Sequence, residues 1–600
     1  MKTIQIIIIF FTLGMAACKK DFLQKNPQSS VTAEDFFKTP ADLETYTNTL
    51  YDILPVANQN FDLYSDIFSD NISTYTGGSE TDVMLRGNLS PATVGGWDTL
   101  DWGKLRKINF MLGNTYRTQG DQAAIDHYIG IAKFFRAYFY YQMVKKYGDV
   151  PWYSTVISTD DESLLNKAKD PRTLVVDSIM NDLDFAVANI APDGTNTRVT
   201  RWSALALLAR IALNEGTYRK YHDELNLQST ADGYLQKAVD ACGTLMSEGG
   251  FSVYNTGGGA TDFRTLFSSS NLDGNPEIIF LKKSSRTDNV LNLTHYVLDW
   301  QWALSRSLEE SFLMKDGTPF TSSPGYATKT FVHVFDDRDP RLAETIMPPG
   351  FTQYPPDGSP YLIKPNFGGY LQVKFYPRDP AQRGGNDDTY TDIPIMRLGE
   401  ILLIDAEAKA ELGQLTQADL DNTIGLLRAR VGMPALNMAA ANAVPDPALA
   451  AQYPLVSGAN AGVILEIRRE RRVELACEGF RFDDMYRWKA GNLFSAPSEG
   501  MYVPGLGAMD VTGDGVNDIA ILQAEGQNGP ISSLPPAEQE SLKKYYLQDG
   551  VFYLSNGTSG YIRFTKDMQQ PKVFEDKYYY FPIPLQQTLL NPNLTQPAGW

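Results

Sequence analysis

The sequence predicts a predominantly α-helical chain, in which paired helices carry long irregular loops and little β structure. Three observations predict it. Apolar residues recur at i+3 and i+4 over several long stretches, the period of helices that bury a face. These stretches follow one another in pairs with short connections, as antiparallel helical hairpins do. Two regions, Gly249 to Ile395 and Leu493 to Trp600, break the pattern and are dense in Gly, Pro, Asn, Asp and aromatic residues.

The clearest helix runs from Ala124 to Tyr147. Tyr128, Ala132, Phe135, Phe139, Met143 and Tyr147 form one stripe, and Ile131, Phe134, Tyr138 and Tyr141 a second beside it, so the helix is covered on two sides. Gly148-Asp149-Val150-Pro151 ends it, because glycine terminates helices and the residue before proline avoids the α region. Further helices are expected over Pro40 to Tyr51, Trp102 to Asn114, Leu174 to Asn189, Arg201 to Gly216, Tyr234 to Ser247, Met396 to Leu412, Gln417 to Val431 and Val463 to Ala490. Between Ile401 and Val431 two of them are joined around Gly413, and Ala406, Ala408 and Ala410 allow close approach. That is the grammar of tetratricopeptide repeats, although no strict 34-residue period is kept. Long loops in a compact unit usually carry function, which directs attention to the two irregular regions.

Composition narrows the function classes. Seventy-one Asp and Glu against 53 Lys and Arg give a formal charge of -18, which repels a phosphate backbone and argues against nucleic acid as a partner. Three cysteines cannot build a disulfide scaffold, and their spacing matches no zinc site. Cys242 and Cys477 read as small buried residues. Cys18 reads differently. Lys2 is followed by an apolar run from Ile4 to Leu13, too short to span a bilayer core of about 30 Å, and then by Gly14-Met15-Ala16-Ala17-Cys18. Small residues before a cysteine resemble a bacterial lipobox. Residues 1–17 would be a cleaved signal and Cys18 the acylated, membrane-anchoring N-terminus; an ordinary secretory signal containing a cysteine is the alternative.

No enzyme motif stands out: G-x-S-x-G, H-E-x-x-H, a Walker A loop and G-x-G-x-x-G opening a helix are all missing, and His127, His222, His295 and His333 are scattered. No catalytic residue or catalytic cofactor is expected, although among so many acids a glycosidase pair can always be found by chance. In the Arg-rich segment from Arg468 to Arg487, Glu466, Glu470, Glu474 and Glu478 recur every four residues beside Arg468 and Arg472, so self-paired helix charges are expected rather than an anion site. Asp405 and Glu407 are read as structural in the same way.

Sugars are held by stacking on flat rings while their hydroxyls bond to Asp, Asn and Arg, and two loops combine these types. One, from Phe61 to Trp97, carries Tyr64, Asp66, Asn71, Tyr75, Arg86 and Trp97. The other carries Tyr296, Trp300 and Trp302 with Asp299 and Gln301 between them. In an extended segment Trp300 and Trp302 share a side, as they would on a ligand platform or on a buried strand face. The loop Asp510-Val511-Thr512-Gly513-Asp514-Gly515-Val516-Asn517-Asp518 offers oxygens from Asp510, Thr512, Asp514, the Val516 carbonyl and Asp518 for a structural calcium; the twelfth position is Ile521 in place of the bidentate Glu of an EF-hand, and an Asp/Gly surface turn is the alternative.

Several segments together resemble the SusD/RagB family of surface glycan-binding lipoproteins. They are Asp21-Phe22-Leu23 with Pro27; Ala132 to Tyr141 and Tyr147 to Pro151; Ala204 to Arg210; Arg397 to Ala408; Ile467 to Leu475 with Glu478 to Arg481 and Arg487-Trp488; Tyr580 to Pro584; and the ending Asn591 to Trp600. Lys19-Lys20-Asp21 is similar to the sorting residues of surface lipoproteins in the Bacteroidetes. Leu105 and Leu112 depart from the tyrosine and asparagine often found there in the family. The resemblance implies one domain over 18–600 with loop insertions at about 249–395 and 493–580, built as four tetratricopeptide-like helix pairs in a right-handed scaffold. It also implies an outer-membrane protein, lipid-anchored and facing the exterior, that captures oligo- or polysaccharide and passes it to a SusC-like TonB-dependent transporter. It places ligand contacts in the two aromatic loops. Peptide capture, as in RagB-like relatives, is the alternative on the same scaffold, and a glycoside hydrolase the alternative from another class.

Overall fold

The computed structural model describes residues 36–57, 61–298, 300–353, 358–383 and 389–600. Cys18, the signal segment and Asp299 lie outside the described residues. The chain is predominantly helical, as the periodicity predicts. Its main helices are α1 (Pro40–Asn48), α2 (Thr99–Leu112), α3 (Gln122–Tyr147), α4 (Arg172–Asn189), α5 (Arg201–Tyr221), α6 (Ala231–Glu248), α7 (Leu398–Glu411), α8 (Ala461–Glu474) and α9 (Arg481–Arg487). From α2 to α8 each packs on the next in chain order, so the scaffold grows by stacking neighbours. Among the described residues no helix is long and apolar enough to cross a membrane.

Local chemistry sets these boundaries. The Asp121 side chain caps α3 by accepting from the Ala124 amide, and Thr200 with Ser203 forms a capping box on α5. At the end of α3, Gly148 takes φ 74°, and a Cβ there would lie 2.9 Å from the Tyr580 ring. The two stripes expected on α3 are buried except for half-buried Tyr128 and Tyr138, and Phe134 and Phe135 are inaccessible.

Two expected helices are broken. Gln417 to Val431 divides into Gln417–Asp421 and Ile424–Arg430, with Thr423 outside helical geometry. Val463 to Ala490 divides into α8 and α9, where Cys477 and Gly479 both take positive φ. The cause is a distant carboxylate: the freed amides of Cys477 and Gly479 donate to Asp66 Oδ2 and Oδ1 at 2.6 and 3.1 Å. Gly479 also passes so close to the Asp62 carbonyl that a Cβ would lie 2.3 Å from it.

Among the described residues there are ten short strands, and all but β1 lie in or border the two irregular regions. β1 (Ile72–Tyr75) pairs antiparallel with β3 (Trp302–Leu304), and β2 (Ile278–Lys282) with β4 (Ile393–Arg397). β5 (Glu499–Val503), β10 (Gly560–Phe564) and β9 (Phe552–Leu554) form one antiparallel sheet; β6 (Gly507–Met509), β7 (Ile519–Leu522) and β8 (Lys543–Tyr546) form another, with β7 and β8 parallel. One apolar core fills the helical stack and a second fills the β-rich region, and Ile395 touches both.

Between them lies a buried layer of charge, which corrects the expectation of self-paired helix charges. Within α8, among the described residues, only Arg469 and Glu466 pair along the helix, at 3.4 Å. The other acids reach outward. Glu470 bonds Arg341 and Arg428, and Glu474 bonds Arg341, Arg397 and Arg430 at 2.9, 2.8 and 2.6 Å. Glu478 pairs with Arg397 and Lys374, and Glu277 with Arg397 and Arg430. Asp405 and Glu407 are structural as expected, held by Lys409 and Arg487.

Candidate functional site

The β1–β3 pair presents the one aromatic pair of the candidate set that faces solvent. In the turn before β3, Tyr296 and Trp300 stack with ring centroids 4.6 Å apart and planes 15° apart, and the Trp300 amide donates to the Tyr296 carbonyl at 3.1 Å. Trp300 is 49% exposed, a large apolar surface left uncovered on a chain that buries most of its rings. The next residue, Gln301, gives its carbonyl to the Thr76 amide at 2.8 Å, which joins this turn to the end of β1. Half-buried Tyr75 lies there. Gly77 fits between its ring and Gln301, where a Cβ would meet Gln301 Oε1 at 2.5 Å and the Tyr75 ring at 2.7 Å. Flat rings beside an amide and a phenol are what a polyhydroxy ligand needs.

The remaining residues expected at this platform are structural. Trp302 is fully buried, and its indole Nε1 donates to Gln372 Oε1 at 2.9 Å. Trp300 and Trp302 do not share a face, because the strand begins only at Trp302 and its two-residue alternation does not extend back through the turn. Asp66 is buried, accepting from Asn71 Nδ2 at 2.8 Å as well as from Cys477 and Gly479, and burial keeps its carboxyl above the usual range. Asn71 Oδ1 accepts from Arg472 Nε at 2.8 Å. Arg86 is buried against Asp82 and Asp567 and is capped by the Gln570 carbonyl. Trp97 is 5% exposed, takes φ 60° and packs edge-on against Trp102 and Tyr147 at 5.2 and 4.8 Å. Trp97→Ala is therefore expected to cost about 3–5 kcal/mol of folding stability. Urea unfolding checks this; an unchanged midpoint with weakened ligand binding would return Trp97 to the platform.

The sequence reading missed a cleft lined by Tyr75 and Gly78 and by residues of α3, α5 and the α8–α9 break, with a volume of about 1220 Å³. Phe61, Phe480 and Phe482 line it half-exposed. Lys145 pairs with Asp483 at 2.6 Å, Lys146 with Glu80 at 3.1 Å and Arg210 with Glu400 at 2.6 Å along its walls. Burial pushes the Asp62 carboxyl up to about 7; Lys145 opposes the shift, and Asp483 and Asp66 add to it. Its wall residues come from segments hundreds of positions apart, so no local pattern marks them.

The Asp510–Asp518 loop does not gather its side chains around a point. Asp510 Oδ1 accepts the Thr512 and Gly513 amides and its Oδ2 the Gly515 amide; Asp518 Oδ2 accepts the Val511 and Thr512 amides, and Asp514 Oδ1 the Val516 amide. Among the described residues no three His, Cys, Asp or Glu side chains are placed to hold a metal ion. These bonds close the turn in the manner of an Asx turn. The expected result of a thermal melt is the same midpoint in calcium and in chelator; a calcium-dependent rise that Asp514→Ala removes would restore an ion to this loop.

Comparison with known proteins agrees with this architecture. A model described as the SusD family matches residues 299–600, and one described as starch-binding and associating with the outer membrane matches residues 21–213. A SusD-like protein of Formosa agariphila is 24% identical over 527 residues, which cover 82% of this chain and 93% of that protein. Among solved structures, the fold is similar to that of a SusD-like carbohydrate-binding protein of Bacteroides fragilis, with TM-score 0.67 and 20% identity over 93% of this chain and 100% of that one. It is also similar to that of a laminarin-binding SusD-like protein, with TM-score 0.56 and 17% identity over 94% of this chain and 100% of that one. With one model covering half of its length and the other covering its first helices, the chain belongs to the SusD family.

Proposed function

We propose that this protein captures an oligo- or polysaccharide at the cell surface and delivers it, uncleaved, to a TonB-dependent outer-membrane transporter. The observation that carries the reading is the exposed Tyr296–Trp300 stack, set beside Tyr75 and Gln301 on a rigid β1–β3 frame. A glycan laid along it buries its C–H faces on the rings and leaves its hydroxyls to the neighbouring amide and phenol. The description of one matching model as starch-binding and the binding named for two structural neighbours support a sugar over a peptide. Acylation of Cys18 would tether the chain to the outer membrane with this face toward the exterior. Among the described residues the platform offers rings and neutral polar groups, which suit holding a glycan. An array of plant, microbial and host glycans, printed beside peptides from a protein digest, tests the reading. Binding to one glycan class supports it; binding to peptides alone would replace it with peptide uptake. Co-purification of a TonB-dependent transporter with the tagged, acylated protein tests the delivery step.

A further inference from the structure

The cleft behind Tyr75 has the attributes of a ligand site that the platform alone does not use. Its volume of about 1220 Å³ is larger than the roughly 300–1,000 Å³ in which most small-ligand pockets fall. Its walls carry acidic and basic side chains in equal number, among them the Lys145–Asp483, Lys146–Glu80 and Arg210–Glu400 pairs, so they favour no net charge in a ligand. Three side chains line it with hydrogen-bonding groups: half-buried Tyr138 and exposed Gln142 on α3, and buried Asn214 on α5. A ligand bearing hydroxyls can take these bonds in place of water. Phe61, Phe480 and Phe482 add ring faces. Tyr75 and Gly78 line it, and the Thr76 amide between them bonds the Gln301 carbonyl in the turn that holds Trp300.

We propose that this cleft is a second carbohydrate subsite, which takes in the terminal two to four units of a neutral glycan chain whose continuation lies over Tyr296 and Trp300. The proposal rests on the capture reading above and adds a direction to it: the protein holds chain ends rather than chain interiors.

The test uses the lipid-free chain from Lys19 carrying Gln142→Cys; the native Cys242 and Cys477 are buried, so the introduced thiol is the accessible one. The probes are the polysaccharide that the platform retains and its two- to four-unit fragments from partial acid hydrolysis. Fragments are expected to slow maleimide labelling of this thiol at least tenfold. In a Trp300→Ala background the fragments still protect, although retention of the polymer falls. Tyr138→Phe combined with Asn214→Leu is expected to abolish protection while polymer retention stays within about twofold; Tyr138→Phe with Asn214→Ser serves if the first pair lowers the melting temperature. Unchanged labelling by fragments, with the polymer still retained, overturns the subsite and leaves the platform standing. Loss of all retention by the unsubstituted chain overturns the platform reading, and this proposal with it.

Discussion

Glu474→Gln is expected to lower folding stability by about 3–5 kcal/mol. The carboxylate is fully buried and bonds three guanidiniums, those of Arg341, Arg397 and Arg430. Removing its charge leaves these three on the remaining acids of the layer, with cations in excess in a place water does not reach. Desolvation alone would raise the Glu474 pKa, but Arg430, Arg397 and Arg341 outweigh it and hold the group well below its ordinary value of 4.5. Its contribution is therefore fully present above pH of about 4.5 and is lost as the pH falls through the depressed value. Urea unfolding at pH 7 measures the loss, and the difference between the two chains should shrink at low pH. Glu248→Gln, at the half-exposed pair with Arg201, is expected to leave the midpoint unchanged. Equal effects at the two positions would show that the buried layer adds nothing beyond ordinary surface pairing.

Trp300→Ala is expected to weaken glycan binding about tenfold to a hundredfold, ~1.4–2.8 kcal/mol, with no change in melting temperature. The ring is exposed and its main protein contact is the Tyr296 stack, so its removal opens no cavity. Trp302→Ala, two residues on, should do the reverse: a loss of about 3–5 kcal/mol in stability, because that ring is enclosed and bonded to Gln372. Calorimetric titration and melting of the two variants separate the roles. A Trp300→Ala protein that binds as tightly as the parent would remove the platform.

The scaffold was legible because its signals are local. The stripes on α3, the Gly148-Asp149-Val150-Pro151 stop and the small residues of α7 each act within one turn of the residues they shape. The features that were not legible are set from a distance. Nothing around Cys477 announces a break; the helix opens there because Asp66, more than 400 positions earlier, needs its amides. The four-residue spacing of Glu470, Glu474 and Glu478 correctly put them on one face, but their partners come from Arg341, Lys374, Arg397, Arg428 and Arg430, which only the tertiary fold brings near. Composition pointed to two aromatic loops and could go no further. Trp97, Trp300 and Trp302 are identical in residue type, and burial alone separates them: Trp97 is folded in at positive φ against Tyr147, Trp302 sits inside a strand, and Trp300 stands in the turn before it. The short strands of the irregular regions escaped for a related reason, since three- to five-residue strands carry too little alternation to be read.

The most direct measurement is native affinity electrophoresis of the lipid-free chain and its Trp300→Ala variant through gels containing a panel of polysaccharides, with the glycan recovered and assayed for new reducing ends. Capture on the platform predicts retardation of the parent by one polysaccharide class, faster migration of the variant in the same gel, and no new reducing ends. Equal migration of the two proteins in every gel, or release of reducing ends by the parent, would contradict it.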